Sequence, residues 1–144
     1  ALAHLHHQIG GVTVPPTDIY AGIPEITLYQ DVIKQLQHMR ATLATQTIHG
    51  DFNLSNLLFN DNDEVVGILD FAECRQDAVE KDISDIIKEC PFLETSLVQS
   101  YSHHASYIVD KTGITLGLLE NALFSAVIEK EPQLLQDKLS DLGL

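Results

Sequence analysis

The chain has few of the residues that mark several classes of protein. Its 144 residues include only two cysteines, Cys74 and Cys90, too few and too far apart in sequence for a disulfide scaffold or a zinc site. We therefore expect reduced thiols and a cytoplasmic protein. No apolar run approaches the roughly 20 residues that a membrane span requires, so we expect no membrane partner.

Basic residues are also scarce. Eight Lys and Arg residues stand against 21 Asp and Glu residues, which gives a formal net charge of -13. This excess of negative charge repels the phosphate backbone of DNA and RNA, so we expect no nucleic-acid partner.

The remaining pattern is mostly that of helices. A hydrophobic fraction of 44% is sufficient for one core. After an early helix and a linker from Gly10 to Gly22, Pro24 opens a second helix with a stripe of apolar residues at Ile26, Tyr29, Ile33, Leu36, Met39 and Leu43. Further helices are predicted over Val79–Glu89, over Phe92–Lys111 with its end at Gly113, and from about Leu116 to Glu131, with a short piece after Pro132. The sequence thus predicts a predominantly helical α+β fold in a single domain over residues 1–144.

A β-hairpin is predicted in the middle of the chain. Two β-favouring runs, Leu57–Phe59 and Val65–Leu69, are separated by five turn-forming residues. If Asn60 faces Val65, the ladder brings Asn56 to the vicinity of Asp70. Strict alternation would aim these two side chains at opposite faces, so their convergence requires irregular backbone or a bulge.

Three polar side chains around this hairpin have the chemistry of a phosphoryl-transfer site. A carboxylate such as Asp51 can accept the proton of an attacking hydroxyl, whereas Asn56 and Asp70 offer the oxygen ligands that Mg²⁺ prefers. In isolation, Asp51 and Asn56 would more often satisfy backbone amides in an Asx turn. His49, two residues before Asp51, and the apolar strand that ends at Asp70 favour the catalytic interpretation.

The string HGDFNLSNLLF, followed by GILDFAE, resembles the catalytic loop and metal motif of the aminoglycoside phosphotransferase and choline kinase-like family. Members have a protein kinase-like fold and transfer the γ-phosphate of ATP, with Mg²⁺, to a hydroxyl of a small molecule such as an aminoglycoside, an amino alcohol or a sugar. The resemblance implies that Asp51 is the catalytic base and that Asn56 and Asp70 are the metal ligands. His49 would brace the loop. Asp82 would be a structural anchor, or alternatively a helix cap.

The resemblance covers the C-terminal lobe of such an enzyme. Nothing in the sequence resembles the glycine-rich strands that cover the phosphates or the strand lysine that pairs with them. We therefore expect that the N-terminal lobe is missing from this chain, that the fragment is inactive alone, and that the exposed lobe interface promotes self-association. The alternative is a kinase-like binding module without catalysis.

The sequence does not identify the residues that bind the acceptor molecule. Asn53-Leu54-Ser55 stands where many relatives have His-Pro-Gly, which puts the substrate class in doubt. Candidate cleft residues on the later helices are Tyr101, His103, His104, Tyr107, Glu120, Glu129 and Glu131. The histidine groups at His4, His6 and His7 and at His103 and His104 could suggest a transition-metal site, but helix residues one or two apart do not share a face.

Overall fold

The computed structural model describes all 144 residues and contains six α-helices and four short strands. In chain order these are α1 (Leu2–Ile9), α2 (Thr27–Arg40), β1 (Gln46–Ile48), β2 (Leu57–Phe59), β3 (Val65–Ile68), β4 (Arg75–Asp77), α3 (Val79–Glu89), α4 (Glu94–Ala105), α5 (Lys111–Glu129) and α6 (Pro132–Leu142). Single 3-10 turns occupy Leu54–Asn56 and Pro91–Leu93. The predicted helical α+β fold is confirmed. None of the helices combines the length and the hydropathy that a membrane span requires.

The helices pack around two apolar clusters. The first joins α1, β1, α3 and α4 around Ile48, Phe52 and Ile83. The second joins α2, α5 and α6 around Leu36 and Leu119. Both clusters lie beside α5, which therefore connects the two parts of the core.

The apolar stripe of α2 is buried as predicted, but the helix begins later than Pro24. Tyr29, Ile33 and Leu36 are buried. Ile26 has extended backbone at the N-cap, and its side chain is 42% exposed. The helix begins after Ile26 because this residue contributes to neither apolar cluster, so nothing holds the preceding turn in helical form.

The helix predicted over Phe92–Lys111 forms only over Glu94–Ala105, and its predicted end at Gly113 is wrong. α4 ends at Ala105, Ser106 has left-handed backbone with φ of +52°, and Asp110 caps α5 by accepting a hydrogen bond from the Thr112 N–H at 2.7 Å. Gly113 lies inside α5. A Cβ atom there would be 2.6 Å from Glu80 Cγ, and one at Gly117 would be 2.0 Å from Ser84 Oγ. These glycines allow α3 and α5 to approach closely and do not end a helix.

The hairpin forms in nearly the predicted register. Leu57 pairs with Ile68 and Leu58 with Gly67, but a bulge at Val66 shifts the next pair to Phe59 and Val65. The predicted pairing of Asn60 with Val65 is therefore wrong by one residue, because the bulge adds a residue to β3 near the turn. The Leu69 N–H donates to the Asn56 carbonyl at 2.8 Å, so the ladder reaches Asn56 as expected.

A second two-stranded sheet was not predicted from the sequence. β1 and β4 pair antiparallel, with Thr47 opposite Gln76 and Ile48 opposite Arg75. β4 is a run of three polar and charged residues, which carries no apolar strand pattern. This sheet positions the segment after Asp70 beside the loop that contains Asp51.

Candidate active site

The Asp51 carboxylate is held by two asparagine side chains from its own loop. Asn53 Nδ2 donates to Asp51 Oδ1 at 2.8 Å, and Asn56 Nδ2 donates to Asp51 Oδ2 at 2.9 Å. Asn56 Nδ2 also donates to the Asp51 carbonyl at 2.9 Å. The 3-10 turn at Leu54–Asn56 makes this possible, because it folds the chain back within five residues of Asp51. These hydrogen bonds fix the orientation of the carboxylate. Asp51 is only half-buried, so a ligand can still reach it.

Asp70 lies at the end of β3 beside the same loop. Its backbone is left-handed, with φ of +56°, and its Oδ1 accepts a hydrogen bond from the Ala72 N–H at 3.3 Å. The preceding residue, Leu69, donates its backbone N–H to the Asn56 carbonyl. The irregular backbone that the sequence argument required is thus present at both positions, as a 3-10 turn before Asn56 and as a positive φ at Asp70.

His49 connects the loop to the strand that ends at Asp70. Its ring is fully buried, its Nε2–H donates to the Leu69 carbonyl at 2.8 Å, and its Nδ1 accepts from the Asp51 N–H at 3.3 Å. These partners assign the ring proton to Nε2. The ring also lies 4.7 Å from the ring of Phe71, centroid to centroid. One imidazole therefore contacts the residues on either side of the site.

Asp82 on α3 accepts hydrogen bonds from the backbone of the loop. Its Oδ2 accepts from the His49 N–H and its Oδ1 from the Gly50 N–H, both at 2.8 Å. His6 Nε2 donates to the same Oδ2 at 2.8 Å, and the Tyr101 hydroxyl hydrogen-bonds to His6 Nδ1. The N-cap of α3 is Ala78, so Asp82 is not a helix cap.

Two more carboxylates on the same face of α3 accept hydrogen bonds from the loop in the same way, and they are not predicted from the sequence. Asp85 Oδ2 accepts from the Phe52 N–H at 3.2 Å, and Glu89 Oε2 accepts from the Leu54 N–H at 2.8 Å. The spacing of three and seven residues from Asp82 is the signal that could have revealed them, because such residues share one helix face. Burial raises the pKa of Asp85, although the neighbouring Lys81 ammonium acts in the opposite direction.

A buried network of ion pairs lies behind the loop. Arg40 and Arg75 each contact both Asp77 and Glu120, at distances of 2.7 to 3.1 Å. Burial alone would raise the pKa of Asp77, but the hydrogen bonds and charges of Arg40 and Arg75 outweigh it and hold that pKa below its ordinary value. Two positive and two negative charges balance, as buried charges require.

Of the candidate acceptor residues, Glu120 is inaccessible to a ligand, whereas Tyr101 and Tyr107 both line a cavity beside α1. Glu120 is fully buried in the ion network, which corrects its assignment to a cleft. Tyr101 is buried against His6, and the Tyr107 hydroxyl donates to Glu80 Oε1 at 2.9 Å. Burial, together with Glu80, raises the pKa of Tyr107 to about 12. The remaining candidates, His103, His104, Glu129 and Glu131, are exposed.

The polar atoms left free at the site suit a magnesium ion. The Asn56 amide nitrogen is engaged with Asp51, while no hydrogen bond within the chain engages Asn56 Oδ1 or Asp70 Oδ2. Mg²⁺ takes one or two protein carboxylates and completes its shell with water and phosphate oxygens. No group of three or more His, Cys, Asp or Glu side chains in the structure could hold a metal by itself. Asn56 Oδ1 and the Asp70 carboxylate are therefore the oxygens that would hold such an ion if water and phosphate oxygens completed its shell.

Solved structures share this fold at low sequence identity. Aminoglycoside 2'-phosphotransferase-IIIa, in its GDP complex, aligns with 96% of this chain and 57% of its own, with a TM-score of 0.62 and 14% identity. The amicoumacin kinase hAmiN, in complex with AMP-PNP, Ca²⁺ and Ami, aligns with 94% of this chain and 56% of its own, with a TM-score of 0.58 and 13% identity. Choline kinase LicA from Streptococcus pneumoniae aligns with 99% of this chain and 53% of its own, with a TM-score of 0.56 and 11% identity. The chain thus spans little more than half the length of these structures.

The sequence comparison identifies the family. No curated protein matches the chain. The sequence model of the phosphotransferase enzyme family matches residues 22–110, which is more than half of the chain and includes His49, Asp51, Asn56, Asp70 and Asp82. The expected family resemblance is confirmed, and the chain belongs to the phosphotransferase enzyme family.

Proposed function

We propose that this chain supplies the catalytic loop and the metal ligands of a small-molecule kinase, which transfers the γ-phosphate of ATP to a hydroxyl group. The observation that carries the proposal is the arrangement of Asp51 and Asn56. Each Asp51 carboxylate oxygen accepts one asparagine N–H, while no hydrogen bond within the chain engages Asn56 Oδ1. A turn that only satisfied its own backbone would not need two side-chain amides on one carboxylate.

Asp51 is the proposed base. Each of its oxygens keeps a lone pair beyond the one that accepts the asparagine N–H, so the carboxylate can also accept the proton of an acceptor hydroxyl. The two amides hold it in one rotamer, which removes the entropy cost of orienting it during the reaction. His49 and Asp82 support it through the backbone from His49 to the Asp51 N–H, which leads into the side chain.

Asn56 Oδ1 and the Asp70 carboxylate are the proposed Mg²⁺ ligands. The ion supplies charge neutralisation for the phosphate oxygens when it is bound with the nucleotide. The chain's own contribution is to present two oxygens from adjacent ladder positions, fixed by the Leu69-to-Asn56 hydrogen bond. The related structures contain GDP in one case and AMP-PNP with Ca²⁺ in another, which supports a nucleotide with a divalent metal.

The acceptor is proposed to be a small molecule with a free hydroxyl, of the aminoglycoside, amino alcohol or sugar type. The related structures are an aminoglycoside phosphotransferase, an amicoumacin kinase and a choline kinase. The net charge of -13 favours a cationic acceptor and disfavours nucleic acid. We also propose a cytoplasmic location, since Cys74 and Cys90 are both free thiols.

The test is transfer of the γ-phosphate by the longest natural form of the protein, with Mg²⁺ and either ATP or GTP, to a panel of aminoglycosides, amino alcohols and sugars. Asp51→Asn keeps the shape of the side chain and should lower kcat by roughly 10²–10⁴-fold, the range for loss of a general base. Nucleotide binding should be unchanged. Turnover that survives this substitution would exclude Asp51 as the base.

The alternative is a kinase-like module that binds a ligand without catalysis. It predicts nucleotide or small-molecule binding with no transfer to any acceptor of the panel, and equal binding by Asp51→Asn. The presence of Asp51 together with Asn56 and Asp70 favours the enzyme, because a module that only binds a nucleotide can use metal ligands but has no use for a general base beside them.

A further inference from the structure

The peptide bond between Gly50 and Asp51 is held at both ends by side chains. Its carbonyl accepts a hydrogen bond from Arg75 Nη1 at 3.2 Å, and its N–H donates to His49 Nδ1 at 3.3 Å. We propose that Arg75 is a positioning residue for Asp51, because its guanidinium fixes the plane of the peptide that leads into the candidate base. This inference rests on the proposed function only for its effect on catalysis.

The backbone conformation at Gly50 has to be restrained by other residues. Its φ is +86°, in the left-handed region that glycine enters without cost, and a Cβ atom there would be 2.1 Å from the Glu73 carbonyl oxygen. Only glycine fits, and glycine leaves the backbone more freedom than any other residue. Asp82 restrains the N–H side of Gly50, while Arg75 restrains its carbonyl side.

The Arg75 side chain is itself rigidly held. It is 7% exposed, its Nε donates to Asp77 Oδ2 at 3.0 Å, and its Nη2 donates to Glu120 Oε2 at 3.1 Å. All three guanidinium nitrogens therefore have separate partners, on β4, on α5 and in the loop. A planar guanidinium held at two corners presents its third corner in a fixed direction.

Arg40 provides a matched control within the same network. It also donates to Asp77 and Glu120, at 2.7 Å for the shortest contact with each, but its remaining nitrogen donates to the Tyr20 hydroxyl and not to the loop. Arg40→Met and Arg75→Met each leave the same two buried carboxylates with one guanidinium. The two variants should lose similar stability and differ in their effect on Gly50 and Asp51.

The test is amide hydrogen exchange by NMR on the chain of residues 1–144, with the Leu119 amide in α5 as the reporter of global unfolding. Relative to Leu119, exchange at Asp51 should become about tenfold faster or more in Arg75→Met, as expected for loss of a hydrogen bond from a charged donor. In Arg40→Met it should stay close to wild type. If Arg75→Met does not fold, Arg75→Lys keeps the charge but cannot reach three partners, and it should show the same local effect.

Catalysis provides a second, separate readout. In the natural form that transfers phosphate, Arg75→Lys should lower kcat by about tenfold with KM for the nucleotide nearly unchanged, since only the base is misplaced. Absence of transfer by the wild type would count against the proposed function and leave the exchange result to decide the role of Arg75. Equal exchange at Asp51 in Arg75→Met and Arg40→Met, whether faster or unchanged, would overturn the proposal.

Discussion

Carboxylates of α3 accept hydrogen bonds from the backbone N–H groups of the loop. Asp82 accepts from two of them, and Asp85 and Glu89 accept from one each. These N–H groups make no hydrogen bond to another backbone carbonyl, so each would lack a partner if its carboxylate were removed. The conformation of the loop is therefore specified by α3 as much as by its own sequence.

Asp82→Asn should show how much this matching contributes. The asparagine has one oxygen for donors from His49, Gly50 and His6, so at least one buried N–H loses its acceptor. We expect the free energy of unfolding to fall by about 2–4 kcal/mol, from hydrogen bonds to a charged group. Urea denaturation measures it. The control is Asp31→Asn, whose carboxylate is exposed, and a similar loss in both variants would contradict the role of Asp82.

The contribution of Asp77 to the free energy of unfolding should depend on pH, and a single substitution can separate it from other contributions. Because the pKa of Asp77 is lowered in the folded state, its contribution is present above the unfolded pKa of about 4 and is lost as the pH falls through the folded value. The difference in unfolding free energy between wild type and Asp77→Asn should be constant from about pH 5 to about pH 7, because this range lies above the unfolded pKa. It should shrink below about pH 4. A difference that grows on acidification would contradict this sign. Urea titrations at several pH values measure it.

At the scale of elements, α3 and α5 form the contact on which the site rests. α3 presents Asp82 to the loop on one side, and its Glu80 and Ser84 pack on the glycines of α5. Any increase in the separation of these helices also moves Glu120, which holds Arg75. The small residues of α5 therefore affect the loop from a distance.

Gly117→Ala should destabilise the fold by about 1–3 kcal/mol, because the added Cβ would be 2.7 Å from Ser84 Cβ, which no side-chain rotation can move, and the helices must separate. In an ordinary helix the same change would stabilise by up to about 1 kcal/mol. Gly11→Ala is the control, since no atom lies within 4 Å of its added Cβ. Thermal unfolding compares the two, and a stabilised Gly117→Ala would show that the close approach of α3 and α5 is not required.

Part of this arrangement could be predicted from the sequence. The hairpin and the helix over Val79–Glu89 follow from local patterns of apolar and turn-forming residues. The oxygen-bearing side chains of Asp51, Asn56 and Asp70 predict a site, and that assignment stays a prediction. β4 could not be predicted, because its partners are far away in the chain and its residues are charged. The end of α4 before Ser106 and the continuation of α5 through Gly113 are accompanied by contacts distant in sequence, since Tyr107 and Asp110 donate to Glu80 and Gly113 packs on it. Tertiary packing therefore decides whether a glycine ends a helix here.

At the scale of the whole molecule, exposed apolar residues are concentrated on the hairpin and just after it. The side chains of Leu58, Phe59, Val66, Leu69 and Phe71 are 44% to 63% exposed. This supports the proposal that the surface where an N-terminal lobe would dock is bare in residues 1–144. If another part of the protein covers the nucleotide, the phosphates are open to water in residues 1–144, which should then bind Mg²⁺-nucleotide weakly and transfer no phosphate.

The same surface should make residues 1–144 self-associate. Sedimentation velocity at increasing concentration should show dimers or larger species, driven by burial of apolar area. Val66→Lys should reduce the association. Ile108→Lys, at a side chain that is 90% exposed on the connection between α4 and α5, should leave it unchanged. A wild-type chain that stays monomeric, or equal effects of both lysines, would contradict the proposed interface.

The most direct test of the proposed site is paramagnetic broadening of amide signals by Mn²⁺-ATP, with Mn²⁺ in place of Mg²⁺ and residues 1–144 of the wild type compared with Asp70→Asn. The method detects weak binding, so the chain does not need to be active. Broadening should be strongest at Asn56 and Asp70, should include Asp51, and should be lost in Asp70→Asn. Broadening centred on another part of the molecule, or unchanged in Asp70→Asn, would show that these three side chains do not form the metal-nucleotide site.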